Sequence, residues 1–404
     1  MPAGNIEKMK YAYAYGADAC YLGLVDYSLR TMRKGELITR ENLKYAIDTA
    51  RKLNKKAYLT LNIFAYDNDI KSLEESIEII KNANPHAIIL SDFGVYRIVR
   101  KYLPDTDIHI STQTNILNTQ AVKFWRDMGA ARVILARELS LKQIEAIRKA
   151  VPDIEIEIFI HGSQCMSYSG RCLLSDYMTK GERKANHGGC AQPCRWSYKL
   201  LEETRPGEYY EIVQDERGSH ILSPKDLCLV RYIKELQNTG VDSFKVEGRT
   251  KSLYYVSAVT KAYRALMDGK IDSEEAFCEL KKVGNRGFTE GFFMGDNNSS
   301  SYSYEISKGL AGADFLCIFL DKKDNLFKVV IKNKMHLGDE FEIITPDFNA
   351  FAKVVSIVNK DGDKTDIANT NDEVWMELDA KDDWQSQWQR ALGRTLGIKN
   401  ETET

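Results

Sequence analysis

Short apolar runs alternate with longer amphipathic segments over the first 250 residues. The runs are rich in aliphatic residues and short enough to be buried strands, whereas the segments between them carry apolar residues at helical spacing. The predicted strands are residues 19–24, 57–63, 87–90, 108–112, 132–136, 155–160 and 243–246. The predicted helices are residues 6–15, 40–53, 70–82, 95–102, 119–128, 141–150 and 227–238. This alternation predicts βαβ units and a parallel sheet.

Seven strands of this kind predict a TIM-like (β/α)8 barrel in an α/β domain that spans residues 1–295. The first five residues, MPAGN, are predicted to form a turn, so the first strand of the barrel would be truncated. An open doubly wound sheet is the alternative fold. It lacks the support of a Gly-x-Gly-x-x-Gly motif after an early strand.

The pattern changes after helices predicted at 252–267 and 273–283 and a linker at 296–303. Residues 305–385 contain short alternating segments with turn sequences between them, which predict a small all-β barrel domain. The short segments are residues 315–320, 327–331, 340–344, 352–358 and 374–377. Residues 386–404 are polar and are predicted to form a loosely held tail.

Composition narrows the class of protein. The 404 residues carry 56 Lys and Arg against 58 Asp and Glu, so no general basic field indicates a nucleic-acid partner. No apolar run approaches the roughly 18 residues that span a membrane, and no signal peptide is visible. We therefore expect a cytoplasmic protein with no membrane partner, in which clustered cysteines are metal ligands or redox groups more often than disulfides.

A loop at residues 161–228 holds most of the candidate chemistry. Its cysteines follow the pattern Cys-x6-Cys-x17-Cys-x3-Cys, with one more on a segment further on: Cys165, Cys172, Cys190, Cys194 and Cys228. Such thiols can hold a [4Fe–4S] cluster or a zinc ion. Zinc sites usually contain close Cys-x2–4-Cys pairs, and only Cys190 and Cys194 form one here, so the spacing favours an iron–sulfur cluster. A Cys165–His161 nucleophile is the alternative, although no protease signature surrounds it.

The residues that end the predicted strands are polar, and in a barrel the reactive residues lie at these positions. They include Asn62, Ser91, Gln113, Arg137, Glu138, His161, Glu247 and Arg249. They predict a polar pocket in which Arg137 and Arg249 could clamp a carboxylate or phosphate. For a single such residue, a helix-capping role is the simpler interpretation, as for Ser111 and Asp92.

Several long motifs resemble the signature of the peptidase U32, or collagenase-like, family. They are EIEIFIHGSQCMSYSGRCLLS at 155–175, GCAQPCR at 189–195, LSPKDL at 222–227, KVEGR at 245–249 and NRGFTEGF at 285–292. Better understood members resemble oxygen-independent hydroxylases that carry a [4Fe–4S] cluster and act on tRNA, on 23S rRNA or on ubiquinone precursors. Length and the appended β-domain look most like the tRNA branch.

The resemblance implies a function and a set of residues. The cluster ligands would be Cys165, Cys172, Cys190 and Cys228, and the reaction would form 5-hydroxyuridine at the tRNA wobble position with prephenate as co-substrate. Glu138, His161, Tyr168 and Glu247 would shape or protonate the site, and Asn62, Gln113, Arg137 and Arg249 would bind substrate. A paralogous subunit of the family is a further expected partner. A peptidase, with or without zinc, and a non-catalytic RNA-binding factor are the rival interpretations.

Overall fold

The computed structural model describes most of the chain, which divides into two compact units. The described residues are 1–25, 27–28, 38–165, 167–168, 171–180, 182–183, 190–196, 213–215, 218–220, 224–248, 251–295, 310–380 and 384–397. The first unit comprises Met1–Met9, Asp18–Thr250 and Asn285–Gly309, and the second comprises Lys10–Ala17, Lys251–Gly284 and Leu310–Thr404. The division differs from the predicted boundary at residue 295, because residues 251–284 group with the C-terminal strands.

The first unit is built on a mostly parallel sheet. The strands of this unit are β1 (Pro2–Ala3), β2 (Ala19–Gly23), β3 (Lys56–Leu61), β4 (Ala87–Leu90), β5 (Ile108–Ile110), β6 (Arg132–Ile134), β7 (Glu155–Ser163), β8 (Val213–Asp215), β9 (Gly218–His220), β10 (Asp226–Cys228), β11 (Ser243–Val246) and β12 (Phe288–Thr289). Of these, β8 and β9 form a separate two-stranded sheet. Strands β1 to β7 pair in sequence order, and β11 pairs with β7 in parallel. These eight parallel strands form the frame of the unit.

Helices follow most of the parallel strands. They are α1 (Ile6–Ala14), α2 (Leu43–Lys52), α3 (Asp67–Ala83), α4 (Phe93–Tyr102), α5 (Thr119–Asp127), α6 (Leu141–Ala150), α7 (Leu174–Met178) and α8 (Ile233–Asn238). Helix α4 begins where the Asp92 carboxylate accepts hydrogen bonds from two backbone N–H groups, as a helix cap does. The predicted helix at 227–238 is wrong at its start, because residues 226–228 pair with β7 as a strand.

The predicted loss of the first strand is also wrong. Residues Pro2 and Ala3 pair in parallel with Tyr21 and Leu22 of β2, and so supply the eighth parallel strand. A two-residue strand that contains proline has no alternating pattern, so the sequence suggested a turn. The Tyr21 hydroxyl donates to the Val246 carbonyl at 2.9 Å, which brings β2 close to β11 at the other end of the parallel order. The arrangement is TIM-like and confirms the predicted α/β class.

The second unit contains a closed six-stranded antiparallel barrel, as predicted. With helices α9 (Leu253–Met267) and α10 (Ser273–Lys281) it holds β13 (Phe315–Lys323), β14 (Leu326–Ile331), β15 (Met335–His336), β16 (Glu340–Ile344), β17 (Asn349–Val358), β18 (Ile367–Ala368), β19 (Glu373–Ala380) and β20 (Leu392–Arg394). The barrel order is β13-β14-β19-β17-β16-β20. Its core is apolar and includes Phe327, Phe341 and Trp384.

The predicted tail at 386–404 is wrong over its first part. Strand β20 lies between β13 and β16 and closes the barrel, and both Leu392 and Arg394 are fully buried. The buried Arg394 guanidinium donates to Glu342 of β16 at 2.8 Å and to Glu279 of α10 at 2.7 Å. This ion-pair group ties α10 to the barrel, in keeping with the place of α10 in the second unit. Among the described residues, no helix is long and apolar enough to cross a membrane.

Candidate active site

Two carboxamides meet at the carboxyl ends of the parallel strands. Asn62 follows β3, and Gln113 lies in the 3-10 turn Thr112–Thr114 that follows β5. The Asn62 Nδ2 donates to Gln113 Oε1 at 2.7 Å, and the Ser111 hydroxyl donates to the same oxygen at 3.0 Å. Ser91, which follows β4, donates to the Asn62 carbonyl at 3.0 Å. The structure therefore brings together predicted pocket residues from three strands.

The cysteine loop is attached to this carboxamide pair by Arg171. Its Nε donates to the Gln113 carbonyl at 3.1 Å, and its guanidinium lies 5.0 Å from the centre of the Phe64 ring. Arg171 immediately precedes Cys172, so the contact connects the segment that carries one candidate ligand to the carboxamide pair. Arg171 was quoted in the family motif but was not predicted as a site residue, because a single arginine in a loop gives no sign of its partner.

The end of β7 forms a second part of the site. The strand continues to Ser163, beyond the predicted break at His161, because β10 pairs antiparallel with its last three residues. Cys228 lies directly opposite buried His161 in this pairing. Gly162 has a φ of +107°, and a Cβ there would lie 2.2 Å from the Glu247 carbonyl oxygen, so the position requires glycine. The Glu247 N–H donates to the His161 carbonyl at 2.8 Å, which joins two predicted catalytic residues through their backbones.

Charged side chains surround the end of β7. Arg137 donates from Nη1 to the Ser163 carbonyl at 2.8 Å, and its guanidinium lies 4.3 Å from the centre of the Phe159 ring. Arg286 donates to the Ser163 hydroxyl at 2.8 Å and also pairs with the buried Asp226. Neither Arg286 nor Asp226 was predicted, although both lie within the quoted motifs. The group supplies cationic side chains at the mouth of the barrel.

The other predicted catalytic residues differ in burial. Glu247 is buried, and the Tyr21 hydroxyl lies 3.5 Å from its carboxylate. Glu138 is half-buried after β6, whereas Tyr168 is 57% exposed in the cysteine loop. Arg249, the second predicted clamp residue, lies outside the described residues. The carboxylate clamp and the four catalytic roles therefore stay predictions.

The cysteines differ in exposure and contacts. Cys165 and Cys190 are exposed, Cys172 and Cys194 are half-buried, and Cys228 is buried. Backbone N–H groups of Leu174 and Gln192 donate to the sulfurs of Cys172 and Cys190, each at 3.3 Å, as donors do to thiolate ligands. Within the described part of the chain, no three His, Cys, Asp or Glu side chains lie close enough together to hold a metal ion.

Hydrogen bonds through Ser175 hold part of the cysteine loop together. The Ser175 hydroxyl donates to the Arg183 carbonyl at 2.7 Å and accepts from the Ala191 N–H at 2.9 Å. Arg183 in turn donates from Nη2 to the Cys190 carbonyl at 3.2 Å. Helix α7, which follows Cys172, is thereby linked to the segment that carries Cys190. Two candidate ligands thus share one hydrogen-bonded piece of the loop.

A buried charge network lies inside the barrel, which sequence reasoning missed. The Glu157 carboxylate pairs with Lys245 at 2.6 Å and with Arg132 at 2.8 Å. Burial acts to raise the pKa of Glu157, but Lys245 and Arg132 outweigh it and hold the pKa below its ordinary value. Burial, together with the Arg132 charge, lowers the pKa of His109 to about 3. The sequence did offer one sign of this network, because charged residues occur within the otherwise apolar strands β7 and β11.

The fold and site define a class of protein: a TIM-like barrel with a cysteine-rich loop at its catalytic end and a C-terminal β-barrel. The chain belongs to peptidase family U32, whose family model matches residues 4–303; the model of the U32 C-terminal domain matches residues 312–384. This membership confirms the resemblance seen in the sequence.

Named relatives cover nearly the whole chain. The tRNA hydroxylation protein P of Escherichia coli (strain K12) is 38% identical over 412 residues, which cover 91% of this chain and 90% of that protein. The protein of the same name from Haemophilus influenzae is 37% identical over 416 residues, with 91% and 90% covered. The 23S rRNA 5-hydroxycytidine C2501 synthase of Escherichia coli is 32% identical over 318 residues, which cover 77% of this chain and 46% of that protein.

Proposed function

We propose that the protein is an RNA-modifying hydroxylase that forms 5-hydroxyuridine at the wobble position of tRNA. The observation that carries the proposal is the similarity, over 91% of the chain, to proteins named for tRNA hydroxylation. The aligned part of the chain is longer than the barrel domain, so it includes the C-terminal domain as well. In this proposal the C-terminal β-barrel helps to hold the RNA.

The proposed cofactor is a [4Fe–4S] cluster. Its ligands are Cys165, Cys172, Cys190 and Cys228, and the donor chemistry fits because all four are thiols and two of them accept backbone N–H bonds. The cluster supplies redox or Lewis-acid chemistry when it is bound. Cys194 is an additional thiol close in sequence to Cys190 and is not a ligand in this proposal.

The chain's own residues bind and orient the reactants. Arg137, which is fixed to the Ser163 carbonyl, receives a carboxylate of prephenate together with Arg249. The buried His161 and Glu247, whose backbones are hydrogen-bonded, hold or move protons beside the position of Cys228, and Glu138 and Tyr168 are assigned to shape the site. These roles place the small anionic co-substrate near the end of β7.

A nucleoside assay tests the proposal. The gene, and separately its Cys172→Ser variant, is expressed in a bacterial strain that lacks its own tRNA hydroxylation protein P. Purified tRNA and 23S rRNA are then digested and analysed by mass spectrometry. We expect 5-hydroxyuridine in tRNA with the unaltered protein and none above background with the variant. Prephenate dependence is tested in the same strain with prephenate synthesis blocked, where the nucleoside should disappear.

Two other activities have distinct outcomes in this assay. 5-Hydroxycytidine in 23S rRNA, with unmodified tRNA, would favour the activity named for the rRNA-modifying relative. Peptide cleavage by iron-free protein, with no new nucleoside, would favour a peptidase. For a Cys165–His161 nucleophile, the observations are that the Cys165 sulfur lies 3.3 Å from the Ser167 hydroxyl and that His161 is buried within β7.

A further inference from the structure

We infer that the carboxamides of Asn62 and Gln113 hold the Watson–Crick edge of the target nucleobase. The inference rests on the proposed function for the source of the base, a uridine of tRNA, and it adds a binding role for two named residues. Three observations support the inference. The two side chains are hydrogen-bonded to one another, this bond leaves one acceptor and one donor available, and the two residues lie beside the cysteine loop.

The two side chains are fixed to one another and to the strands. Gln113 Oε1 accepts from Asn62 Nδ2 at 2.7 Å and from the Ser111 hydroxyl at 3.0 Å, so this oxygen is fully used. Gln113 is 9% exposed, and Asn62 is half-buried. Asn62 is also restrained by the Ser91 hydroxyl, which donates to its carbonyl. The pair is therefore arranged before any ligand arrives.

The pair presents one acceptor and one donor. The Oδ1 of Asn62 is buried and has no hydrogen-bond partner among the residues that the structure describes, which is costly unless water or a ligand supplies a donor. The Nε2 protons of Gln113 are not used by the contacts that fix its oxygen. If both carboxamides were turned over, the Asn62 nitrogen and the Gln113 oxygen would be presented instead. Either way a donor stands next to an acceptor.

This combination matches a nucleobase edge better than it matches an anion. The N3–H of uracil is a donor between two carbonyl acceptors, so it can give a proton to one carboxamide while a carbonyl accepts from the other. Enzymes that act on a base extrude it and bind its Watson–Crick edge in this manner. A carboxylate would find one donor and one repelling oxygen here, whereas Arg137 offers it charged donors.

The surroundings of Asn62 and Gln113 also fit the binding of a nucleobase. Arg171 binds the Gln113 carbonyl and lies over Phe64, so a planar cation–aromatic pair stands next to the carboxamides. Flat groups of this kind stack on unpaired bases. Arg171 also connects the pair to Cys172, the next residue. A base held by Asn62 and Gln113 would thus lie at the edge of the loop that carries the proposed cluster.

The test compares two RNA hairpins of the anticodon stem-loop, with uracil or N3-methyluracil at the wobble position. Binding to the purified full-length holoprotein is measured by fluorescence anisotropy. We expect the unaltered protein to prefer uracil by about 5- to 100-fold, as for a paired donor and acceptor. Asn62→Ala and Gln113→Ala should reduce this ratio to about one. Asn62→Asp keeps an acceptor oxygen for the N3–H and removes only the amide that donates to Gln113, so it should retain a preference for uracil.

Two control variants lie far from the carboxamide pair in sequence, and two results would overturn the inference. Gln237→Ala and Asn238→Ala remove exposed carboxamides from α8 and should keep the preference of the unaltered protein. Equal affinity of the unaltered protein for both hairpins would overturn the inference, as would a preference that survives Asn62→Ala and Gln113→Ala. A preserved hairpin preference without 5-hydroxyuridine in tRNA would instead overturn the proposed function alone.

Discussion

Cys228 lies directly opposite His161 in the antiparallel pairing of β10 with β7. The two residues are 67 positions apart in the chain (228 − 161), yet the ladder fixes their backbones side by side. Cys165 follows His161 by four residues, two residues beyond the end of β7 at Ser163. A thiol that is distant in sequence is thereby brought to the start of the cysteine loop.

Cys228→Ser is expected to remove most of the bound iron and sulfide from anaerobically purified protein, because the cluster would lose a thiolate ligand on a rigid strand. Iron and sulfide analysis with an absorption spectrum measures this, and the unaltered protein should hold about four of each per chain. Cys194→Ser and Cys278→Ser should retain both. Full iron content in Cys228→Ser would contradict the ligand assignment.

Glu157→Gln should lower the free energy of unfolding of the first unit by about 3–5 kcal/mol, because it leaves Lys245 and Arg132 buried without their shared counter-charge. Urea denaturation followed by circular dichroism measures the change. Glu155→Gln is the matched control, since Glu155 also pairs with Arg132 but its side chain is 49% exposed. It should cost less than about 1 kcal/mol. Equal effects of the two substitutions would contradict the explanation.

His109 should make stability depend on pH between about 6.5 and 3. Its folded pKa is lowered to about 3 from an ordinary 6.5, so on acidification the unfolded chain binds a proton first. Stability from this group is complete above pH 6.5 and falls by up to about 1.4 kcal/mol per pH unit below it. His109→Phe should flatten this part of the curve of unfolding free energy against pH.

Arg394→Met should destabilise the second unit by about 1.5–3 kcal/mol, because the buried Glu342 would lose its closest charged hydrogen-bond donor and keep only Lys282 at 3.5 Å and Asn349. Thermal unfolding, followed by tryptophan fluorescence, measures the effect through the buried Trp384 of the same barrel. Lys328→Met removes the lysine of a more exposed pair with Glu373 and should cost less than about 1 kcal/mol. A small effect at Arg394 would mean that apolar packing alone holds α10 to the strands.

Many residues of the candidate site could be predicted from the polar residue types at the strand ends. The contacts between these residues could not. Asn62 and Gln113 were both predicted, since polar residues after parallel strands share one edge of a barrel. Their direct hydrogen bond depends on the turn after β5, which sequence periodicity does not describe. Arg171 and Arg286 were missed for a related reason: a loop arginine reaches partners that only the path of the loop decides.

The sequence by itself determined the alternation of strands and helices, the two kinds of domain and the cysteine spacing, because these depend on local periodicity and on residue identity. The tertiary structure decided what depends on contacts between distant segments. Pro2–Ala3 and Leu392–Arg394 become strands only because partner strands supply their hydrogen bonds. Glu157 and Lys245, 88 positions apart, can be buried as charges only because the barrel sets them 2.6 Å from one another.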